Sequence, residues 1–399
     1  MASYELFPPD PVAKRKVLLD AVEQIRATLV ASADDSEQRA TLSPTAVDAL
    51  DASGILRLKL PASLGGAEAD PVTQMEVIEA LATIDTASAW CAMVGATSVA
   101  LLGAFLPEPG VQRVFTNGEA PIAAISIFPA GVAVAMDDGY RVNGRWRFCS
   151  GIRHAAWVSV GAVVQHPEQS AAGTGEPPEV RFVALPVPEV TIHDNWQAMG
   201  LKGTGSCDIS VTDSFVPHEL TFQWDMFNPL PQRGGPLYRL PVISFVANEH
   251  IGFALGVARR ALDELIHQVQ RTKGVYRASA LQERQIVHRL VGKLDLELSA
   301  VRSLAIERYR AAWRQIEAGK QIDGACQAEL RSIATYVTDL AVNSATAAYR
   351  YGGAGALFQP NTLERLLRDI HAAAQHMLVG DDTYEAHGQY ILGLNGANT

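Results

Sequence analysis

In Tyr140-Arg-Val-Asn-Gly-Arg-Trp-Arg-Phe-Cys-Ser-Gly151, apolar Tyr140, Val142, Trp146 and Phe148 alternate with Arg141, Asn143, Arg145 and Arg147. A period of two belongs to a strand with one buried face. Asn143-Gly144, in its middle, carries the signature of a type I′ hairpin turn. Further strand-like runs follow at 157–164 and 180–187, and Ile209-Ser-Val-Thr-Asp-Ser-Phe-Val-Pro217 is another, closed by proline. Between two of them, 166–178 is rich in Pro, Gly, Ser and Ala and reads as an exposed loop. Short strands, tight turns and no intervening helix predict an antiparallel sheet closed as a barrel or sandwich.

Outward from this zone the period becomes helical. Before it, Val17, Leu18, Ala21, Ile25 and Leu29 recur at helical spacing. Ser43-Pro44 and Asp70-Pro71 each put a capping side chain before a proline at the first helical position. Leu64-Gly65-Gly66 is a turn ahead of the second start. After it, Ile286, Leu290, Leu294, Leu298, Val301 and Leu304 make one apolar stripe, as expected of a long helix in an antiparallel bundle. The expected fold is therefore α+β. An N-terminal α-helical domain (1–119) and a central β domain (120–225) precede a C-terminal four-helix bundle domain (226–399).

The composition narrows the function. The chain has 399 residues, 48% hydrophobic and 19% charged, which describes a globular protein with a large core. A net charge of −10 with no basic run argues against nucleic acid and anionic membranes as partners. The four cysteines are scattered, so neither a disulfide framework nor a cysteine zinc site is expected, and a reducing cytoplasm is. No basic flank precedes an apolar stretch at the N-terminus, so no signal peptide is expected. The apolar run Cys91 to Leu106 is shorter than the roughly 20 residues of a membrane span and reads as a buried helix. Neither a GxGxxG after a strand, a Walker A sequence, a GxSxG elbow nor an HExxH occurs. Glu264-Leu-Ile-His267 is a single Glu-x-x-His, where a di-iron bundle needs two, and the histidines show no ligand spacing, so no metal is expected. Catalysis then rests on a bound organic cofactor.

Three segments carry a resemblance. They are Gly144 to Trp157, Met199-Gly-Leu-Lys-Gly-Thr-Gly-Ser-Cys-Asp208 with Phe215-Val-Pro217, and Tyr351-Gly-Gly-Ala-Gly-Ala356 followed by Arg368-Asp-Ile-His-Ala-Ala-Ala-Gln-His376. With Leu60-Pro61, Gly65-Gly66 and Asp85-Thr-Ala-Ser-Ala-Trp90, they resemble the acyl-CoA dehydrogenase superfamily over roughly residues 15–393. Within it the chain is most similar to the flavin-dependent monooxygenase branch, which includes oxygenase components that hydroxylate phenols, indoles and thiophenes. The resemblance implies reduced FMN or FAD delivered by a separate NAD(P)H:flavin reductase, O2 as co-substrate, a C4a-hydroperoxyflavin, a small aromatic or heteroaromatic substrate, and a homotetramer.

The resemblance also assigns residues. Phe148-Cys149-Ser150-Gly151 would lie against the flavin N5 edge, with Ser150 as hydrogen-bond donor, and Gly352 and Gly353 would touch flavin. Dehydrogenases of the superfamily carry a catalytic glutamate about a helix past the Arg-Asp pair. Here His371 to Gly380 holds no carboxylate; the glutamate position falls at Met377, beside His376. The other site used for that glutamate falls near Val246, and Glu249 remains a rival base and substrate contact. His376 is thus the expected acid–base residue, eight residues past Arg368 on what reads as one helix. Ser126 matches a substrate-contacting serine. Phenol hydroxylases of the branch carry a histidine where this chain has Ser98, so Ser98 is a candidate substrate contact without the phenolate role. The competing reading is an FAD-dependent acyl-CoA dehydrogenase or a nitroalkane-oxidase-like enzyme.

Overall fold

A computed structural model describes residues 7–166, 178–271 and 281–394. The expected loop at 166–178 lies, apart from its two end residues, outside the described residues. Five helices open the chain: α1 (Pro11–Arg39), α2 (Pro44–Ala52), α3 (Pro71–Ala82), α4 (Thr86–Phe105) and α5 (Glu108–Val114). Asp10, Ser43 and Asp70 cap the first three, their side chains accepting from Ala13 N, Ala46 N and both Val72 N and Thr73 N. Each capped helix begins with proline, whose missing N–H would have had no helical partner there. Helix α4 is long and apolar enough to cross a membrane by length and composition, and 94% of that window is buried inside the protein.

Among the described residues the sheet has seven strands: β1 (Ala123–Met136), β2 (Gly139–Cys149), β3 (Trp157–Gln165), β4 (Val180–Pro186), β5 (Thr191–Ile192), β6 (Cys207–Pro217) and β7 (Thr221–Phe222). Their order is β5-β6-β2-β1-β3-β4-β7. The sheet is mixed rather than antiparallel, because β3 pairs parallel to β1. The hairpin turn also differs from expectation. It lies at Asp137-Asp138, between the paired Met136 and Gly139, and β2 runs straight through Asn143-Gly144. Neither of those two residues takes a positive φ. Gly144 serves packing instead. It pairs with Gly131 across the strands, and a Cβ on it would stand 2.7 Å from both Gly131 Cα and Trp146 Cη2. The two glycines make room for the fully buried Trp146 indole, whose Nε1 donates to Gly161 O at 2.7 Å.

Among the described residues five helices follow, α6 (Val242–Arg271), α7 (Gln285–Glu317), α8 (Gly324–Tyr351), α9 (Thr362–Ala373) and α10 (Asp381–Ile391), where a four-helix bundle was the expectation. On α7 the apolar stripe is partly inward. Leu294, Leu298 and Val301 are buried, Leu290 and Leu304 half-buried, and Ile286 exposed. The chain divides into two compact units. One holds Met1–Ala69, Trp90–Gln197 and Lys202–Val242, the other Asp70–Ala89, Ala198–Leu201 and Ile243–Thr399. Helix α3 joins the C-terminal helices for physical reasons. Arg302 of α7 pairs with Glu76 and Glu79 at 3.0 and 2.8 Å, and Asn248 Nδ2 donates to Pro71 O at 3.0 Å. Gly252 of α6 comes so close that a Cβ there would lie 2.2 Å from Met75 O.

Candidate active site

In the first unit, β2 ends in a cluster of hydroxyls. Trp90 Nε1 donates to Ser150 Oγ at 3.1 Å. Ser150 Oγ lies 2.7 Å from Ser206 Oγ, which lies 2.6 Å from Thr204 Oγ1. All four side chains are buried. The backbone amides of Ser150 and Gly151 are already used: Ser150 N donates to Phe148 O at 3.0 Å and Gly151 N to Thr204 O at 2.9 Å. That leaves the hydroxyl as the donor on offer. Just before it, Phe148 takes a φ of 60°, which a bulky residue adopts only at a cost, and stays 61% exposed. Its ring meets Trp196 edge-on at 6.5 Å, and the Arg147 guanidinium lies 5.1 Å from its centre.

The other candidates in this unit are placed more plainly. Cys149 is fully buried, and burial, with Asp208 and Cys207 adding, pushes its thiol up to about 12. Its side chain is part of the core, and only its backbone belongs to the strand end. Ser126 Oγ donates to Arg147 O at 3.3 Å. Ser98 Oγ donates to Val94 O at 2.7 Å, one turn back on its own helix. Trp196, Thr204 and Ser206 were not singled out from sequence. Thr204 and Ser206 sit inside the Met199–Asp208 segment, but only the fold brings them to Ser150.

In the second unit, α9 stops at Ala373, so His376 does not continue the helix of Arg368 and Asp369 as expected. It sits in the turn beyond, with its N–H donating to Ala373 O at 3.0 Å. Leu378 N donates to His376 Nδ1 at 3.2 Å. A nitrogen that accepts cannot carry the proton, so the neutral ring bears it on Nε2. Arg331 of α8 holds the same turn: it donates to Met377 O at 3.1 Å and Leu378 O at 3.3 Å and pairs with Asp382 at 3.0 Å. Sequence reasoning passed over His250, whose fully buried ring lies 5.7 Å from that of His376, centre to centre. Glu249, its neighbour on α6, is fully buried too.

The Arg368-Asp369 pair and the Met199-Gly-Leu201 run form one joint. Leu201 N donates to Asp369 Oδ1 at 2.6 Å, and Thr86 Oγ1 donates to Asp369 Oδ2. Arg368 Nη1 donates to Met199 O at 3.0 Å, and a Cβ on Gly200 would stand 2.0 Å from Arg368 O. In the glycine turn, a Cβ on Gly352 would come 2.5 Å from Leu363 Cδ1, so the Leu363 side chain would have to shift to admit it. Gly353 has a φ of 77° and open space beside it.

Burial depresses three imidazoles: His154 to about 4, His376 to about 4, and His250 to about 3, with the His376 charge adding to the last. Histidines lowered on folding add stability that is fully present above their ordinary value and is lost as pH falls toward the folded one. Asp369, pushed up to about 6 chiefly by burial, works in the opposite sense. Three groups outweigh one, so the protein should lose stability on acidification below about pH 6.5. Urea denaturation across that range should show His376→Gln losing less than the parent; parallel curves would exclude His376 as a contributor.

The acyl-CoA dehydrogenase N-terminal domain profile matches residues 13–105, and the C-terminal domain profile matches 250–380. The indole-3-acetate monooxygenase of Pseudomonas putida is 30% identical over 378 residues, covering 95% of this chain and 93% of the relative. The chain belongs to the acyl-CoA dehydrogenase family. Another family member, the flavin-dependent monooxygenase oxygenase subunit HsaA of Mycobacterium tuberculosis, is 26% identical, covering 96% and 97% of the two chains. XiaF of Streptomyces, solved with FADH2 and glycerol, superposes with a TM-score of 0.85 at 22% identity, covering 96% and 97%. The last likeness concerns the fold alone. The hydroxyl cluster at Ser150, the Arg368-Asp369 joint and the His376 turn are thus features of a member of the acyl-CoA dehydrogenase family.

Proposed function

We propose that this family member is the oxygenase component of a two-component flavin-dependent monooxygenase. It takes reduced FMN or FAD from a separate NAD(P)H:flavin reductase and uses O2 to oxidise a small aromatic or heteroaromatic substrate. The observation that carries the reading is the His376 turn. Where a dehydrogenase needs a carboxylate to remove an α-proton, this chain presents a neutral imidazole whose proton is fixed on Nε2. Such a ring donates a hydrogen bond and does not serve as a base at that nitrogen. The names of the curated relatives support the same reading, and a homotetramer in the cytoplasm goes with it.

The residues at the end of β2 fit a flavin. Phe148 and Trp196 offer apolar ring surface, and Ser150 offers one hydroxyl. Trp90 occupies one lone pair of Ser150 Oγ. With the hydroxyls oriented Thr204 to Ser206 to Ser150, Ser206 occupies the other, and the Ser150 O–H is free to donate outward. A chain of hydroxyls polarised this way strengthens its terminal donor. Bound reduced flavin supplies the electrons that activate O2. In the first unit Ser150 would hold the flavin's reactive edge and Ser126 would contact substrate; in the second, His376 would donate through Nε2 and Glu249 would be the substrate contact.

Two measurements test this. Protein mixed with reduced flavin, isotopically labelled O2 and indole or phenol substrates should place label in product. Oxidation of an acyl-CoA by the protein with oxidised FAD, and no labelled product, would establish the dehydrogenase reading instead. Ser150→Ala should lower the ratio of product to hydrogen peroxide about tenfold, as loss of one buried hydrogen bond of about 1–3 kcal/mol implies, with a smaller change in flavin affinity. An unchanged ratio would remove Ser150 from the chemistry.

A further inference from the structure

We propose that Arg331 is a positioning residue for His376: its guanidinium holds the Met377–Leu378 peptide unit, and through the N–H of that unit it fixes the proton of the His376 ring on Nε2. This rests on the reading of His376 given above. One peptide unit carries both contacts. Its carbonyl, Met377 O, accepts from Arg331 Nη2 at 3.1 Å, and its N–H, on Leu378, donates to His376 Nδ1 at 3.2 Å. A peptide is planar, so a donor that fixes the direction of the C=O fixes that of the N–H as well. A cationic donor on the carbonyl also polarises the unit and strengthens its N–H as a donor. The guanidinium reaches the next carbonyl too, Leu378 O, through Nε at 3.3 Å, so both peptide units of Leu378 are held. Asp382, in the first turn of α10, pairs with the same Nη2 at 3.0 Å. The root of the side chain is anchored in turn. Next to Arg331 on α8, the buried Ser332 Oγ donates to Thr383 O at 2.7 Å, and Thr335 Oγ1 lies 2.7 Å from Thr383 Oγ1. The His250 ring, 5.7 Å away, helps to seat the imidazole, but the nitrogen that carries the proton is set by the N–H that occupies the other.

The test reads the ring nitrogens. Protein with nitrogen-labelled histidine, free of flavin, is compared by NMR with Arg331→Met, Arg331→Lys and Ser332→Ala near neutral pH, where burial keeps the His376 ring uncharged. The His376 signals are assigned by their loss in His376→Gln. The parent should give two widely separated nitrogen signals, with the proton on Nε2 alone. Arg331→Met should draw the two together as the Nδ1-protonated form becomes populated. Its ratio of product to hydrogen peroxide should fall about tenfold, with reduced-flavin affinity within about twofold of the parent. Ser332→Ala loosens α8 against α10 without touching the peptide unit, and its His376 signals should match the parent. Parent-like signals in Arg331→Met would overturn the proposal, and so would Ser332→Ala drawing the signals together as far as Arg331→Met does. Should the methionine variant not fold, the lysine variant decides. Its ammonium lacks the planar fork that spans two carbonyls, so converging signals there support the proposal and parent-like signals overturn it. The NMR comparison needs no flavin and no substrate. Converging signals beside an unchanged product ratio would therefore support the Arg331 contact and count against the chemical role given to His376.

Discussion

His376→Ala should lower product formation about a hundredfold while oxygen is still consumed and leaves as hydrogen peroxide. The size follows from the site. Leu378 N fixes the tautomer, and the Arg331 clamp on Met377 and Leu378 fixes the turn. The imidazole is therefore a preset donor, and deleting it removes a hydrogen bond aimed at one place rather than a solvent-averaged one. Burial keeps the ring neutral, with its proton affinity down to about 4, so the donor form is the one present across the physiological range. Glu249→Gln is the matched control. It keeps the shape of a fully buried side chain on α6 and removes its ability to act as a base. Its product yield should stay within about threefold of the parent. Activity that survives His376→Ala but not Glu249→Gln would return the chain to the dehydrogenase reading. The steady-state ratio of product to peroxide, taken with both variants under one flavin supply, decides between them.

The parts of the fold legible in the sequence are those governed by neighbours along the chain. Ser43-Pro44 and Asp70-Pro71 mark true helix starts because a cap and the proline behind it act within one turn. The buried helix from Cys91 onward is legible because its composition alone demands an interior. Asn143-Gly144 misleads because a dipeptide preference is weaker than the volume of Trp146, which needs glycine at 131 and 144 to lie flat against the strands. The parallel pairing of β1 with β3 is invisible locally, since each strand has the same period whichever way its neighbour runs. The site follows the same rule. Ser150 and His376 stand in recognisable segments, whereas Ser206, Trp196 and His250 acquire meaning only from what the fold sets beside them. The placement of His376 on the Arg368 helix fails at Ala373, where α9 ends, a boundary that a run of three alanines does not announce.

The Asp369 joint should give the largest stability effect. Asp369 is nearly fully buried and accepts from Leu201 N and Thr86 Oγ1. Asp369→Ala removes the acceptor that both buried donors share, and at about 1–3 kcal/mol each the loss should be about 2–6 kcal/mol. Asp369→Asn should cost much less. Its carbonyl still accepts from Leu201 N, its amide can donate to the Thr86 hydroxyl, and the charge is gone from a desolvated site. The two variants also separate the hydrogen bonds from the charge through pH. Burial raises the Asp369 carboxyl to about 6, above its ordinary value, so its contribution is full at acid pH and is lost as pH rises through about 6. The asparagine does not titrate. The parent should therefore be more stable relative to Asp369→Asn at about pH 5 than at about pH 7, as read by urea denaturation. Because both proteins carry the same histidines, the acid losses at His154, His250 and His376 cancel in this difference. An identical gap at the two pH values would mean that Asp369 is held ionised throughout, with its two donors outweighing burial. Alanine would then still cost the same, because that loss comes from the Leu201 amide and the Thr86 hydroxyl and not from the charge.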